Sequence, residues 1–546
     1  VEVIEASLGG AVTTLNRNDV IDGGSGNDII NIAADDSFLL GFGTGRMSGV
    51  ETVNIGATVS SVTPKIFNFT GASGIQTINV GAANAKVELK EVSDPGITVN
   101  LSGQTAGTLK LDFASGTISG SGSALNFGVS NVGTATGDVG LQADGITDLT
   151  VTSLSPGNQK NYIALNNGAN DIQTLSVTGT TDLYIGDVGN TVTAVDASGM
   201  GGDFTLTVNV SGNGSLLASG QTLTGGQGFD TLRLLGSGNN IVRATINNVE
   251  ELFFDGAGSK PNVKANLIND LTHLRFSGQA VDGAVDIAGL QSGALTVNAI
   301  MNLTTSSDSQ DISAQGALTV NLNASDESIS DAAREQNSFS FSTPTEDAVT
   351  VNIGSYVSAS STFTLNDAGS LSVTVDDTSS FNGTINAQGA TTIGYSGGAS
   401  LQGSVIGSAA TTISLSAGSA DGIDIRSTGV ETLNLNFTNA FSVISTSNID
   451  SAQNITMVAG ATADLSDVGT FTKAANINLS GENATYILDN ISNTTGIDTN
   501  LVLAGGSGGF SAQTLDTTNA AIVVDGSAFD GDISITNLDG TGPSTG

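Results

Sequence analysis

The sequence predicts an all-β chain wound as an elongated parallel β-solenoid (a β-helix or β-roll), with coils of roughly 20 residues in two to three modules. Three observations predict it. The first is a four-residue phrase, Thr, aliphatic, Asn, apolar, which recurs along the chain, as in TVNI at 52–55, TINV at 77–80, TVNL at 98–101, TVNV at 207–210, TVNA at 296–299, TVNL at 319–322, TVNI at 350–353 and TLNL at 432–435. Strict alternation of this kind marks a strand with one face buried. The second is composition: 72 Gly, 6 Pro and no Trp, with abundant Ser, Thr, Asn and Val, favour short strands joined by tight turns over helices. The third is spacing. Looser relatives of the phrase, such as LSVTG near 175 and TTISL near 411, fill the gaps until one strand recurs every 20-odd residues. A coil so short cannot bury its apolar face alone and stacks on the next one. The competing fold, an array of β-sandwiches, calls for paired hairpin signals at closer spacing, and these are sparse.

Longer repeats divide the chain into modules. GGSGNDIIN at 23–31 is echoed by GGQGFDTLR at 225–233 and, in faded form, by GSADGID at 418–424. Downstream of each follows a second shared phrase: GVETVNI at 49–55, NVEELFF at 248–254 and GVETLNL at 429–435. The modules expected are therefore 1–216, 217–415 and a degenerate 416–546. The segment 325–339, SDESISDAAREQNSF, breaks the texture and reads as a loop insertion with a short helix.

Charge narrows the partners. Lys plus Arg number 15 and Asp plus Glu 52, a formal net charge of −37, which repels nucleic acid and anionic membranes and favours cations. Only 12% of residues are charged, so the composition is that of a folding chain. There is no Cys, so size, repetition or bound metal must supply what disulfides give other secreted proteins. No run approaches the length of a membrane span, and the opening VEVIEASLGG has none of the marks of a secretory signal.

GGSGNDIIN and GGQGFDTLR both match the nine-residue pattern G-G-x-G-x-D-x-U-x of calcium-binding β-rolls. Glycines let the chain curl and turn carbonyl oxygens inward, the Asp supplies charge, and the aliphatic residue plugs the strand into the core. Calcium takes 6–8 oxygens, so one nonapeptide supplies half a shell. Nine residues either side of Asp28 stand Asp19 and Asp36, and with Asp22 they are candidates to complete a site. Around Asp230 the same offsets give Gln221 and Asn239, which makes a weaker site. The alternative is that Gly and Asp simply make tight corners. Other acidic pairs, Asp35/Asp36, Asp376/Asp377, Asp464/Asp467 and Asp530/Asp532, fall at expected coil corners, where neighbouring carboxylates repel unless bridged. VDASGMGGDFTLTV at 195–208 and VDGSAFDGDISITN at 524–537 match one another and suggest a shared turn using Asp196/Asp203 and Asp525/Asp532.

These nonapeptides, the GVETVNI and VDASG phrases and the Thr-aliphatic-Asn coils resemble the calcium-dependent surface-layer proteins of Gram-negative bacteria, of the Caulobacter kind. The resemblance implies an extracellular protein that leaves through a type I secretion machine, folds on several calcium ions and tiles with copies of itself into a two-dimensional lattice on the cell surface. It implies calcium at Gly24, Gly26 and Asp28, and at Gly226, Gly228 and Asp230. It leaves anchoring to lipopolysaccharide or another cell-surface glycan to a region these residues do not show. The rival function is a large type I-secreted calcium-binding adhesin. A β-helix lyase or epimerase is disfavoured, because such chemistry needs a proton-transfer group beside cationic residues, and the chain has one His, His273, expected on a strand face, with its basic residues scattered singly. No enzymatic activity is expected. Outward Thr and Asn rows read as ladders between coils, and the 20 Phe as core stacks.

Overall fold

The structure is a computed structural model. It describes residues 2–9, 13–57, 63–82, 86–118, 122–157, 159–165, 171–186, 188–189, 191–209, 215–236, 238–255, 259–264, 267–276, 285–288, 294–301, 309–313, 316–324, 338–342, 347–353, 362–365, 369–376, 380–444, 447–492, 494, 496, 498–504, 507–516 and 520–539. The regular secondary structure described is almost entirely β-strand, joined by turns and stacked in parallel as a β-solenoid. The described exception is a single 3₁₀ turn, Ser215–Leu217, and no described helix is long and apolar enough to cross a membrane. Two compact units divide the chain: Val1–Gly256 with Leu267–Leu271, and Ala257–Asn266 with Thr272–Gly546. The sequence modules describe repetition, a property separate from this division of contacts.

In the first unit, successive coils lay down one sheet through Val3–Leu8, Ile29–Ala34, Thr52–Ala57, Thr77–Ala82 and Thr98–Ser102, and onward through Ala124–Ser130 and Asp148–Ser153. Every one of these strands pairs in parallel with the next coil's copy. The alternating phrase explains why. Val53, Ile78 and Val99 occupy one register column and are 0–1% exposed, while the Thr and Asn beside them face outward. A second sheet, with strands such as Gly107–Phe113, Leu183–Gly186 and Phe204–Asn209, closes the other side of the coil. The second unit repeats the plan, and between Thr392–Gly397, Thr412–Ala417 and Thr432–Phe437 each coil is 20 residues long. Phe437 and Phe441 stack at 4.6 Å between ring centres, both in the core. The segment 325–337 lies outside the described residues, and the strand Ser338–Ser342 follows it.

The outward asparagines form ladders. Asn54 Nδ2 donates to Asn31 Oδ1 at 2.7 Å, Asn79 to Asn54 at 2.7 Å and Asn100 to Asn79 at 2.8 Å, while Asn31 itself donates to Glu5 Oε1 at 2.6 Å. Asn298, Asn321 and Asn352 repeat the device in the second unit. Removing a middle rung leaves one amide without its acceptor and another without its donor. Asn54→Ala is therefore expected to destabilise the first unit by about 1–2 kcal/mol, read from the urea midpoint. A change below about 0.3 kcal/mol would mean that water replaces the rung fully.

The matched VDASG and VDGSA phrases are β-bulges within strands. Asp196 Oδ1 accepts from Ser198 N and Asp525 Oδ1 from Ser527 N, each at 3.0 Å, and the parallel register slips at both places. Hydrogen bonds from Ser198 and Ser527 hold these carboxyls below the usual carboxylate range. Asp464 makes the same turn with Ser466 N at 3.0 Å, again where the register shifts.

Candidate metal centre

The first nonapeptide curls into the strand Ile29–Ala34 through Gly24 and Gly26, at φ 76° and 134°. Gly23 runs against the neighbouring coil, where a Cβ would lie 1.9 Å from the Gly49 carbonyl oxygen. This close approach turns Asp28 inward, leaving it 1% exposed. Its Oδ1 accepts from Glu2 N at 2.6 Å, one coil earlier, and its own N–H donates to Glu51 Oε2 at 2.8 Å, one coil later. The Asp28 carbonyl accepts from Glu51 N and Thr52 N at 3.1 and 3.0 Å. Asp28 Oδ2 is enclosed and receives no hydrogen bond.

The second nonapeptide builds the same frame. Asp230 is fully buried; its Oδ1 accepts from Phe204 N at 2.8 Å, and the Phe204 offset of 26 residues equals that of Glu2 from Asp28. Its N–H donates to Glu250 Oε2 at 2.7 Å, as Asp28 does to Glu51. Its carbonyl accepts from Glu250 N and Glu251 N. Here Oδ2 is not orphaned, because Gly226 N donates to it. Burial, with the Glu250 and Asp203 carboxylates nearby, overrides the two backbone donors and pushes the Asp230 carboxyl up to about 6.

The remaining sequence candidates occupy simpler positions. The Asp19 carboxylate accepts from Asn16 N at 2.6 Å, Asp22 Oδ1 from Gly24 N at 3.1 Å, and Asp36 Oδ1 from Ser37 N at 2.8 Å, all of them local turn contacts. Gly226 and Gly228 are packed, with Cβ positions 2.5 Å from the Met200 carbonyl and 2.6 Å from the Gly202 carbonyl. Asp376 is exposed at the end of the strand Ser370–Val375, and Asp377 lies outside the described residues. Among the described residues no three His, Cys, Asp or Glu side chains converge as a ready-made metal cluster. Protein-family models, curated proteins and solved structures were compared with the chain, and none matches.

A cation nonetheless fits the first motif. An enclosed carboxylate oxygen without a donor is the group that a calcium ion satisfies, and the Glu51 carboxylate stands one hydrogen bond from the same residue. The second motif fits less well, since both Asp230 oxygens are engaged, though Asp203 and Glu250 gather negative charge around it. Asp203 Oδ1 accepts from Phe229 N, and its own N–H donates to Asp182 Oδ1, so acidic side chains hold together three successive coils here. In the second unit, Asp424 of the faded third motif is buried with one oxygen orphaned and the other paired to Arg426 at 2.5 Å. Asp489 is raised by burial and by Asp467, and one of its oxygens is enclosed without a partner.

The glutamates are the residues that sequence reasoning missed. Their signal was present: the Val-Glu pair in GVETVNI and NVEELFF recurs after each nonapeptide, 23 and 20 residues beyond the Asp it caps. His273 lies on the strand His273–Phe276, its Nδ1 2.8 Å from the Thr272 hydroxyl.

Proposed function

We propose that this is a secreted, calcium-binding structural protein of the bacterial cell surface, copies of which assemble into a two-dimensional lattice. The observation that carries the reading is the enclosed, donor-free Asp28 Oδ2 in a chain of net charge −37. An uncompensated buried carboxylate costs several kcal/mol, and a divalent cation offsets that cost. Asp28, Glu51 and carbonyls of the glycine turn would hold the ion; Asp203 and Glu250 beside Asp230 would serve a second. Calcium here supplies positive charge that ties coils together. The outer faces of the coils support assembly, because they carry regular rows of short neutral side chains, and divalent ions bridge acidic surfaces that otherwise repel.

Electron microscopy of the purified protein with and without calcium tests this. Ordered sheets are expected with calcium, and dispersed particles with a lowered melting temperature in excess chelator. Particles that stay dispersed in both, with an unchanged melting temperature, would overturn the proposal.

A further inference from the structure

The asparagine ladder of the first unit stops at Asn100, and a groove opens where it stops. The next residue in that register column is Gly128, followed by Thr152. A Cβ at position 128 would lie 2.1 Å from Asn100 Oδ1, so glycine is what gives the last amide its place. Asn100 donates to Asn79, and no described residue donates to its Oδ1. Beyond the column, Leu154 and Pro156 rise as a wall, Leu154 being 53% exposed. The resulting cavity is about 650 Å³, within the size range of small-molecule sites.

Its chemistry selects a ligand class. None of the residues lining it is charged, in a chain of net charge −37. Without a carboxylate the groove offers a cation nothing specific, and without Lys or Arg in this anionic setting it does not attract anions. The strands beneath it, Thr98–Ser102, Ala124–Ser130 and Asp148–Ser153, are paired along both edges, so no free main chain is available to a peptide strand. What remains are side-chain hydroxyls and amides, from Thr98, Asn126 and Ser130 beside Asn100, facing two apolar side chains. A ligand that both donates and accepts hydrogen bonds, is uncharged, and has an apolar C–H face matches this surface.

We infer that this groove binds a neutral oligosaccharide. The inference is independent of the calcium reading, since no acidic residue takes part. The probes are maltohexaose, cellohexaose and mannohexaose, with oligogalacturonate as the charged control, titrated into the intact protein by calorimetry. At least one neutral hexasaccharide is expected to bind, and the control is not. Thr152→Phe fills the groove from a half-exposed position and is expected to weaken that binding about tenfold or more, a loss of about 1.4 kcal/mol. Asn126→Ala, which alters only an exposed side chain, is expected to weaken it in the same direction. Retained melting temperatures would separate loss of binding from loss of fold. Failure of all three neutral probes, binding of the control alone, or undiminished binding by Thr152→Phe would overturn the inference.

Discussion

Gly225→Ala is expected to disrupt the second nonapeptide more than any other single methyl added to either motif. The new Cβ would stand 1.7 Å from the Asn248 carbonyl oxygen and 2.5 Å from Asp230 Oδ2. The first of these is backbone, held by its own coil, so neither partner can swing aside. Overpacking against movable side chains costs about 1–3 kcal/mol, and a collision with main chain belongs at or above the upper end. Gly24→Ala supplies the contrast. It meets nothing within 4 Å, and its cost is confined to the left-handed φ of 76°, about 1–2 kcal/mol. Because stacked coils open locally, the readout is hydrogen exchange at the donors to each buried Asp, Phe204 N–H and Gly226 N–H for Asp230 and Glu2 N–H for Asp28. Protection should collapse in Gly225→Ala. If Gly24→Ala proved the more damaging, the close approach of coils at Gly225 would not be what shapes this turn.

The second large effect is a pH dependence at Asp230. Its folded-state carboxyl titrates at about 6 against an ordinary 3.8, so the native state binds its proton more tightly than the unfolded chain does. Metal-free stability is therefore expected to be highest below pH 4 as far as this group is concerned. It should fall as pH rises through the window from about 4 to about 6, by about 3 kcal/mol in all, and level off above. Asp138 and Asp489, both raised by burial, add slopes of the same sign, so the quantity to measure is the difference between the wild type and Asp230→Asn. The variant should lose this component of the slope. At low pH it should also be the less stable protein, since an amide offers one acceptor where Phe204 N and Gly226 N both need one. Parallel urea midpoints for the two proteins from pH 4 to 7 would refute the assignment. A calcium ion at this cluster favours the ionised carboxylates, so added calcium should stabilise the wild type more at pH 7 than at pH 5.

The solenoid was legible in the sequence because each Thr-aliphatic-Asn phrase carries its own burial pattern, and Val53 and Ile55 point inward for reasons visible in four residues. The asparagine ladders were legible for the same reason, since residues in one column recur at the coil period. Asp28 and Asp230 stood out through their glycines, and both are buried. Their partners were not found, because the nonapeptide directed attention nine residues away, to Asp19 and Asp36, which make local turns. The coil period governs instead. Glu2 and Glu51 reach Asp28 across 26 and 23 residues, so the signal for Glu51 lay in the recurring Val-Glu phrase and outside the nine-residue spacing of the motif. The VDASG phrase reads in sequence as a shared turn of Asp196/Asp203 and Asp525/Asp532, whereas the structure makes it a bulge of Asp196 and Asp525 inside a strand, and bulge and corner use the same Asp and Ser chemistry. Only the slipped register distinguishes them.

The row of amides that begins at Glu5 has a direction. A carboxylate has no proton to give, so Asn31 must present its nitrogen to Glu5, and this leaves its oxygen for Asn54, and so on to Asn100. One side chain at the margin thus dictates the sense of four others. Whole coils can be inserted or deleted in the course of evolution without disturbing that sense, while a charge reversal at the margin would oblige the entire file of dipoles to turn about.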